Sequence, residues 1–141
     1  QPPYLLRAGR IVHAVVYLNH KAAFITSEEI AQNVCTNPAR IRKIMAKLKK
    51  AGLVQTKEGA VHGGYRFVRH KKTVTLLMIA DAIGEKFVSA AWRSGNADMD
   101  CLIAAGMANV MDQIFIQMDD ACRKILQTIT IEEIDKQIFK K

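Results

Sequence analysis

Apolar residues recur at helical spacing in six stretches of this 141-residue chain, and two short stretches between the third and fourth read as strands. Over residues 4–20, Leu5, Leu6, Ile11, Val12, Val15, Val16 and Leu18 fall at mixed three- and four-residue intervals, which predicts a first helix that buries much of its surface. Residues 19–25 break the pattern. Thr26 or Ser27 then caps a short second helix ending near Val34, with Glu28 and Glu29 in its first turn, where the helix dipole favours acids, and with Ile30, Ala31 and Val34 facing inward. Cys35-Thr36-Asn37 forms a turn. Asn37 caps the third helix and Pro38 takes its first position, where a missing N–H is harmless. Ile41, Ile44, Met45 and Leu48 make its buried stripe at i, i+3, i+4 and i+7, and Ala51-Gly52 ends it.

Residues 53–56 and 65–68 read as short strands around a glycine-rich tip, Lys57-Glu58-Gly59-Ala60-Val61-His62-Gly63-Gly64. Thr75 caps a fourth helix from Leu76 to Ile83, closed by Gly84. Residues 85–98 lack a period and read as a linker, in which Trp92, near Phe87, either anchors the linker or lines a small effector pocket. A long helix then starts near Met99 or Asp100 and runs to Thr128, about 40 Å at roughly 1.5 Å per residue. Ile103, Met107, Val110, Ile114, Met118, Ala121 and Ile125 form one apolar stripe on it, and Met111, Phe115, Met118, Cys122 and Leu126 a second beside it. Such a helix needs cover on two sides, and so short a chain has little left to supply it, so a second subunit is the expected cover. Thr130 caps a final short helix with Ile131, Ile134 and Ile138 as its apolar stripe.

Two short helices joined by a tight turn, followed by a glycine-tipped hairpin, predict a winged helix-turn-helix, which places its second helix in a DNA major groove. The expected fold class is mainly α with a small β-hairpin wing, plus a long C-terminal dimerisation helix. The expected domains are a DNA-binding domain over 1–84, a linker over 85–98, and a dimerisation helix with a short C-terminal helix over 99–141.

Charge sharpens this picture. Residues 1–72 hold 14 Lys/Arg against 3 Asp/Glu, whereas residues 73–141 hold 7 against 10. The net +8 therefore sits in the N-terminal half, which implies an anionic partner for that half alone. On the third helix, Ala39, Lys43, Ala46 and Lys50 project opposite the apolar stripe, with Arg40 and Lys47 on one flank and Arg42 and Lys49 on the other. Lys43, Lys47 and Lys50 suit phosphates. Arg40 and Arg42 carry planar forks that match guanine O6 and N7, and Ala39 presents a methyl-sized surface suited to thymine. Thr26, Ser27 and Asn37 can bond phosphates while capping helices. In the wing, His62 and Arg66 are the reaching side chains, and Gly63 and Gly64 let the backbone approach DNA, although a hairpin needs glycines in any case. Tyr65 either packs beneath the wing or touches DNA.

The stretch Ser27-Glu28-Glu29-Ile30-Ala31, then Asn37-Pro38, Ile44 through Val54 with its Lys-Ala-Gly-Leu-Val ending, and Gly63-Gly64-Tyr65-Arg66 resembles the Rrf-type transcriptional regulators, the family of IscR, NsrR and CymR. The likeness extends through Val74-Thr75-Leu76 and Ile129-Thr130-Ile131 and covers most of the chain. It implies a dimeric winged-helix repressor whose long helix forms the dimer interface. Cluster-binding members carry three closely spaced cysteines at the start of that helix. Here only Cys101 lies there, Cys122 is roughly 32 Å further along the helix, and Cys35 belongs to the turn. No iron–sulfur cluster or other cofactor is expected, and the chain is compared with the cluster-free members.

Three widely spaced cysteines do not form a disulfide framework of the secreted kind, and reduced thiols in the cytoplasm are the plain reading. Cys35 and Cys122 read as packing residues. Cys101, at a helix start beside Asp98 and Asp100, is the candidate redox sensor. His13, His20, His62 and His70 show no metal spacing. No signal peptide or membrane span is visible, and no nucleophile–base pair, P-loop or dinucleotide fingerprint supports an enzyme.

The sequence thus reads as a homodimeric, cytoplasmic, DNA-binding transcriptional regulator, a repressor of a pseudo-palindromic operator. Its partners are double-stranded DNA, a second copy and an unknown small-molecule or protein effector. The alternatives are a thiol- or metal-responsive regulator acting through Cys101, and a winged-helix protein-interaction module. The outward lysines argue against the module, because interface cores are depleted in lysine.

Overall fold

A computed structural model describes residues 3–59, 61–84, 96 and 98–140. In chain order the elements are α1 (Pro3–Lys21), α2 (Ser27–Val34), α3 (Pro38–Lys50), β1 (Val54–Lys57), β2 (Gly64–Phe67), α4 (Leu76–Ile83), α5 (Leu102–Gln127) and α6 (Ile131–Ile138). Four helices begin where a capping oxygen stands ready. Thr26 Oγ1 accepts from the Glu29 N–H, Asn37 Oδ1 from Arg40, Thr75 Oγ1 from Met78, and Thr130 Oγ1 from Glu133. Left-handed residues end two of them: Gly84 after α4, and Cys35 after α2 at φ 61°, where a Cβ is unfavourable.

Two compact units divide the chain, one holding residues 1–85 and 126–141 and the other residues 86–125. In the first, the head, the inward faces of the short helices meet in one core. Val15, Leu18, Ile30, Ile41, Met45, Leu48, Leu53, Val74 and Ile79 are closed off from solvent, and Ile131 of α6 joins them. Burying an isoleucine contributes about 1.5–3 kcal/mol, so α6 is held to the head by substance rather than by tether. The division drawn from sequence placed this short helix with the long one, whereas the compact units place it with the head. Only Ile131 and Ile134 of its apolar stripe pack inward, and Ile138 stays exposed. His20 and Phe139 stack their rings at 4.2 Å, a second contact between α1 and the end of α6.

β1 and β2 pair antiparallel, with Val54 opposite Phe67, Gln55 opposite Arg66, Thr56 opposite Tyr65 and Lys57 opposite Gly64. The strand bounds lie one residue from those expected. Ile25 adds a single bridge on the other side of β2, exchanging two 2.8 Å backbone hydrogen bonds with Tyr65. A second bridge joins Thr75 to Thr130: the Leu76 N–H donates to the Ile129 carbonyl at 2.9 Å and the Ile131 N–H to Val74 at 3.0 Å. The N-caps of α4 and α6 are thereby laid side by side.

α5, which lies in the second unit as far as Ile125, has 26 residues and is about 39 Å long. Ala108 and Phe115 are buried on one side. The stripe expected to pair with a second subunit is open, with Ile103 74%, Val110 54% and Ile125 61% exposed. The expected linker over 85–98, including Phe87 and Trp92, lies outside the described residues except for Asn96 and Asp98. Among the described residues, no helix is long and apolar enough to cross a membrane.

Candidate nucleic-acid interface

α3 buries Ile41, Met45 and Leu48 and turns Ala39, Arg40, Arg42, Lys43, Ala46, Lys47, Lys49 and Lys50 to solvent. The amphipathic spacing forces this, because the apolar residues occupy one side of the cylinder and every charge must take the other. α2 holds α3 from beneath. Tyr17 of α1 in turn steadies α2, donating its hydroxyl to Glu29 Oε2 at 2.8 Å. That hydrogen bond, with desolvation and the carboxylate charge behind it, raises the Tyr17 pKa above its ordinary value.

Two of the cations chosen from sequence have partners within the head. Arg42 Nη1 donates to Ser27 Oγ at 3.2 Å and lies 3.8 Å from Glu28 Oε1. Ser27 is itself buried and donates to Glu28 Oε2, so its hydroxyl is occupied in both roles. The Lys47 ammonium donates to the Ile83 carbonyl at 3.3 Å. Arg40, Lys43 and Lys50 stand exposed along the outer face, and Thr26 and Asn37, also exposed, mark the N-termini of α2 and α3.

The wing glycines have a structural reason that their spacing did not reveal. A Cβ on Gly64 would lie 2.3 Å from the Ile25 carbonyl oxygen, and one on Gly63 would lie 2.3 Å from the Gly59 carbonyl oxygen. Gly64 also sits at φ +135°, a conformation side chains rarely adopt. Gly63 closes the wing tip onto its own backbone, and Gly64 lets β2 lie against the backbone of Ile25 and Thr26. His62 is exposed at the tip, Tyr65 packs in part against the core, and Arg66 donates to Gln55 Oε1 at 2.9 Å. Val61, 81% exposed beside His62, and Lys57 at the end of β1 belong to the same surface and were not singled out from the sequence. Lys57 was legible as a cation opposite Gly64 in the hairpin register. Nothing in the local pattern marks Val61.

Residues 7–137 match the Rrf2 family of iron-dependent transcriptional regulators. The chain belongs to that family. Its fold is similar to that of a candidate transcriptional regulator from Lactobacillus plantarum, at 25% identity and a TM-score of 0.83 over 96% of this chain and 91% of that one. It is similar as well to T. potens IscR, at 18% identity and a TM-score of 0.67 over 93% and 84% of the two chains. The oxidized form of Staphylococcus aureus CymR matches at 18% identity and a TM-score of 0.64 over 92% of each chain. No protein of curated function matches the sequence. This Rrf2 chain is a transcriptional regulator of the winged-helix type, and its family and fold relatives are regulators rather than enzymes.

The family's description names iron, and the donors here do not fit it. Among the described residues no three His, Cys, Asp or Glu side chains gather in a way that could hold a metal ion. Cys101 and Cys122 lie near opposite ends of α5, roughly 32 Å apart along the helix, and Cys35 occupies the left-handed turn after α2. Cys101 instead caps α5. The backbone N–H groups of Ala104 and Ile103 point at its sulfur and lower the thiol pKa below its ordinary value, and the residue is exposed. Cys35 is exposed as well, against the packing role expected of it, because the left-handed turn points it outward, and Cys122 is half-buried.

Proposed function

We propose that this regulator acts as a cytoplasmic homodimer that binds a pseudo-palindromic DNA site and represses by occluding a promoter. The observation that carries the reading is the joining, in one head, of an outward basic face on α3 to a basic wing, while the α5 stripe leaves Ile103, Val110 and Ile125 open to water. Exposed isoleucines in line on a long helix favour a second copy as their cover. In that dimer Ile103, Met107, Val110, Ile114, Met118, Ala121 and Ile125 pack against the partner, and the two α3 helices enter successive major grooves. Arg40 reads a base edge, Lys43 and Lys50 bind phosphates, and His62 reaches from the wing, with Ala39 facing a thymine methyl.

The test is selection of bound DNA from a random pool by the reduced protein. An enriched inverted repeat is expected, and Arg40→Ala should lose about 1–3 kcal/mol of preference at one position of it. Salt-sensitive binding with no consensus would overturn the sequence-specific reading. The lowered thiol pKa of Cys101 favours a second reading in which oxidation at the start of α5 sets DNA affinity. That reading fails if peroxide alters affinity equally in the parent and in Cys101→Ser.

A further inference from the structure

The root of the wing gathers two cations on one aromatic face. Phe24, between α1 and α2, has the Arg66 guanidinium carbon 4.7 Å and the Lys57 ammonium 5.7 Å from its ring centroid. Both fall within the roughly 6 Å at which a ring's quadrupole attracts a cation. The hairpin register explains the convergence. Lys57 pairs with Gly64 and Gln55 with Arg66, so Lys57 and Arg66 are diagonal neighbours on one face of the sheet. Gly64 puts no side chain between them, and its backbone meets Ile25 so closely that residue 24 is carried beneath the pair. Arg66 is fixed further by its hydrogen bond to Gln55 Oε1. Among the described residues, neither cation is in ion-pair contact with a carboxylate.

Two like charges held over one ring repel each other, and an anion placed between them relieves the repulsion. The ring also keeps both long side chains extended before the anion arrives, so less rotamer freedom is lost on binding. We propose that Lys57 and Arg66 clamp one DNA backbone phosphate at the wing root, with Phe24 as the positioning residue that aims them. The clamp rests on the DNA-binding reading above. It adds Phe24 to that surface and gives Lys57 and Arg66 one shared phosphate.

The experiment is fluorescence anisotropy of the full chain against a labelled random-sequence duplex of about 30 base pairs, long enough for two half-sites, across a salt series. Phe24→Leu keeps an apolar side chain and removes the ring, Phe24→Tyr keeps the ring, and Lys57→Gln removes one cation. Phe24→Leu and Lys57→Gln should each make the log–log salt slope shallower by about 0.9, which is about an eightfold loss of affinity near 0.1 M salt. Phe24→Tyr should keep the parent slope, and thermal unfolding should show all three variants folded. An unchanged slope in Phe24→Leu overturns the clamp, as does a fall in its affinity without a change of slope, which marks a merely structural ring. Equal losses in Phe24→Tyr and Phe24→Leu overturn it too. A parent protein with no salt-dependent DNA binding overturns the functional reading itself, a separate outcome visible before any variant is made.

Discussion

Lys47 of α3 donates its ammonium to the carbonyl of Ile83 at 3.3 Å, so the basic helix α3 also closes the last turn of α4. A cation at a helix C-terminus satisfies an orphan carbonyl and meets the negative end of the dipole. Lys47 thus ties α3 to the point where the chain leaves the head. Lys47→Met should lower head stability by about 0.3–1 kcal/mol, read by chemical denaturation. It should leave the salt slope of DNA binding nearly unchanged. A slope shallower by about one unit would instead put this ammonium on a phosphate.

Two glycines provide a matched pair. Gly64→Ala forces a Cβ to 2.3 Å from the Ile25 carbonyl oxygen at φ +135°, whereas Gly9, in the middle of α1, has nothing within 4 Å of the position a Cβ would take. Gly64→Ala should destabilise the head by about 2–4 kcal/mol from strain and clash together. Gly9→Ala should stabilise it by about 0.5–1 kcal/mol, because a helix interior favours alanine. Thermal unfolding of the two variants should therefore move in opposite directions.

The open stripe on α5 gives a test of assembly. Ile114 is 41% exposed in the single chain and central in that stripe. Ile114→Asp should convert a dimer to a monomer in sedimentation, because an interface that buries an unpaired carboxylate is strongly penalised. The head fold should survive, since none of its core residues lies on that face of α5.

Cys101 should show its lowered pKa as reactivity. The N–H groups of Ala104 and Ile103 stabilise the thiolate, so the midpoint of the alkylation-rate profile should lie below that of an ordinary thiol. The sign for stability follows. A depressed pKa contributes stability that is present above the unfolded thiol's value and is lost as pH falls through the lowered one. Mass spectrometry after graded iodoacetamide treatment should find exposed Cys101 modified before half-buried Cys122.

Much of the fold is legible in the sequence, because the helices carry their own boundaries. Thr26, Asn37, Thr75 and Thr130 each cap the helix that their position announces, and the bounds of α2, α3 and α4 follow from local chemistry. What escapes is whatever depends on distant approach. Arg42 and Lys47 look outward by helical angle, and their partners Ser27, Glu28 and Ile83 come from packing that no local pattern records. The ring of Phe24 falls in an aperiodic break and gains its two cations only through the Ile25–Tyr65 bridge. The docking of α6 on the head is hidden from local pattern for a related reason. It follows the long helix in sequence, and only the burial of Ile131 shows where it docks.

The pairing of Thr75 with Thr130 sets an order on biosynthesis. Ile131, fully enclosed in the head core, leaves the ribosome only after all of α5 has been made. A nascent chain ending at α4 carries α3 on a core still without Ile131. Domains generally fold as units during translation, and here the unit closes across an insertion about 40 residues long. The head core is therefore complete only once the long helix of the other unit has already been synthesised.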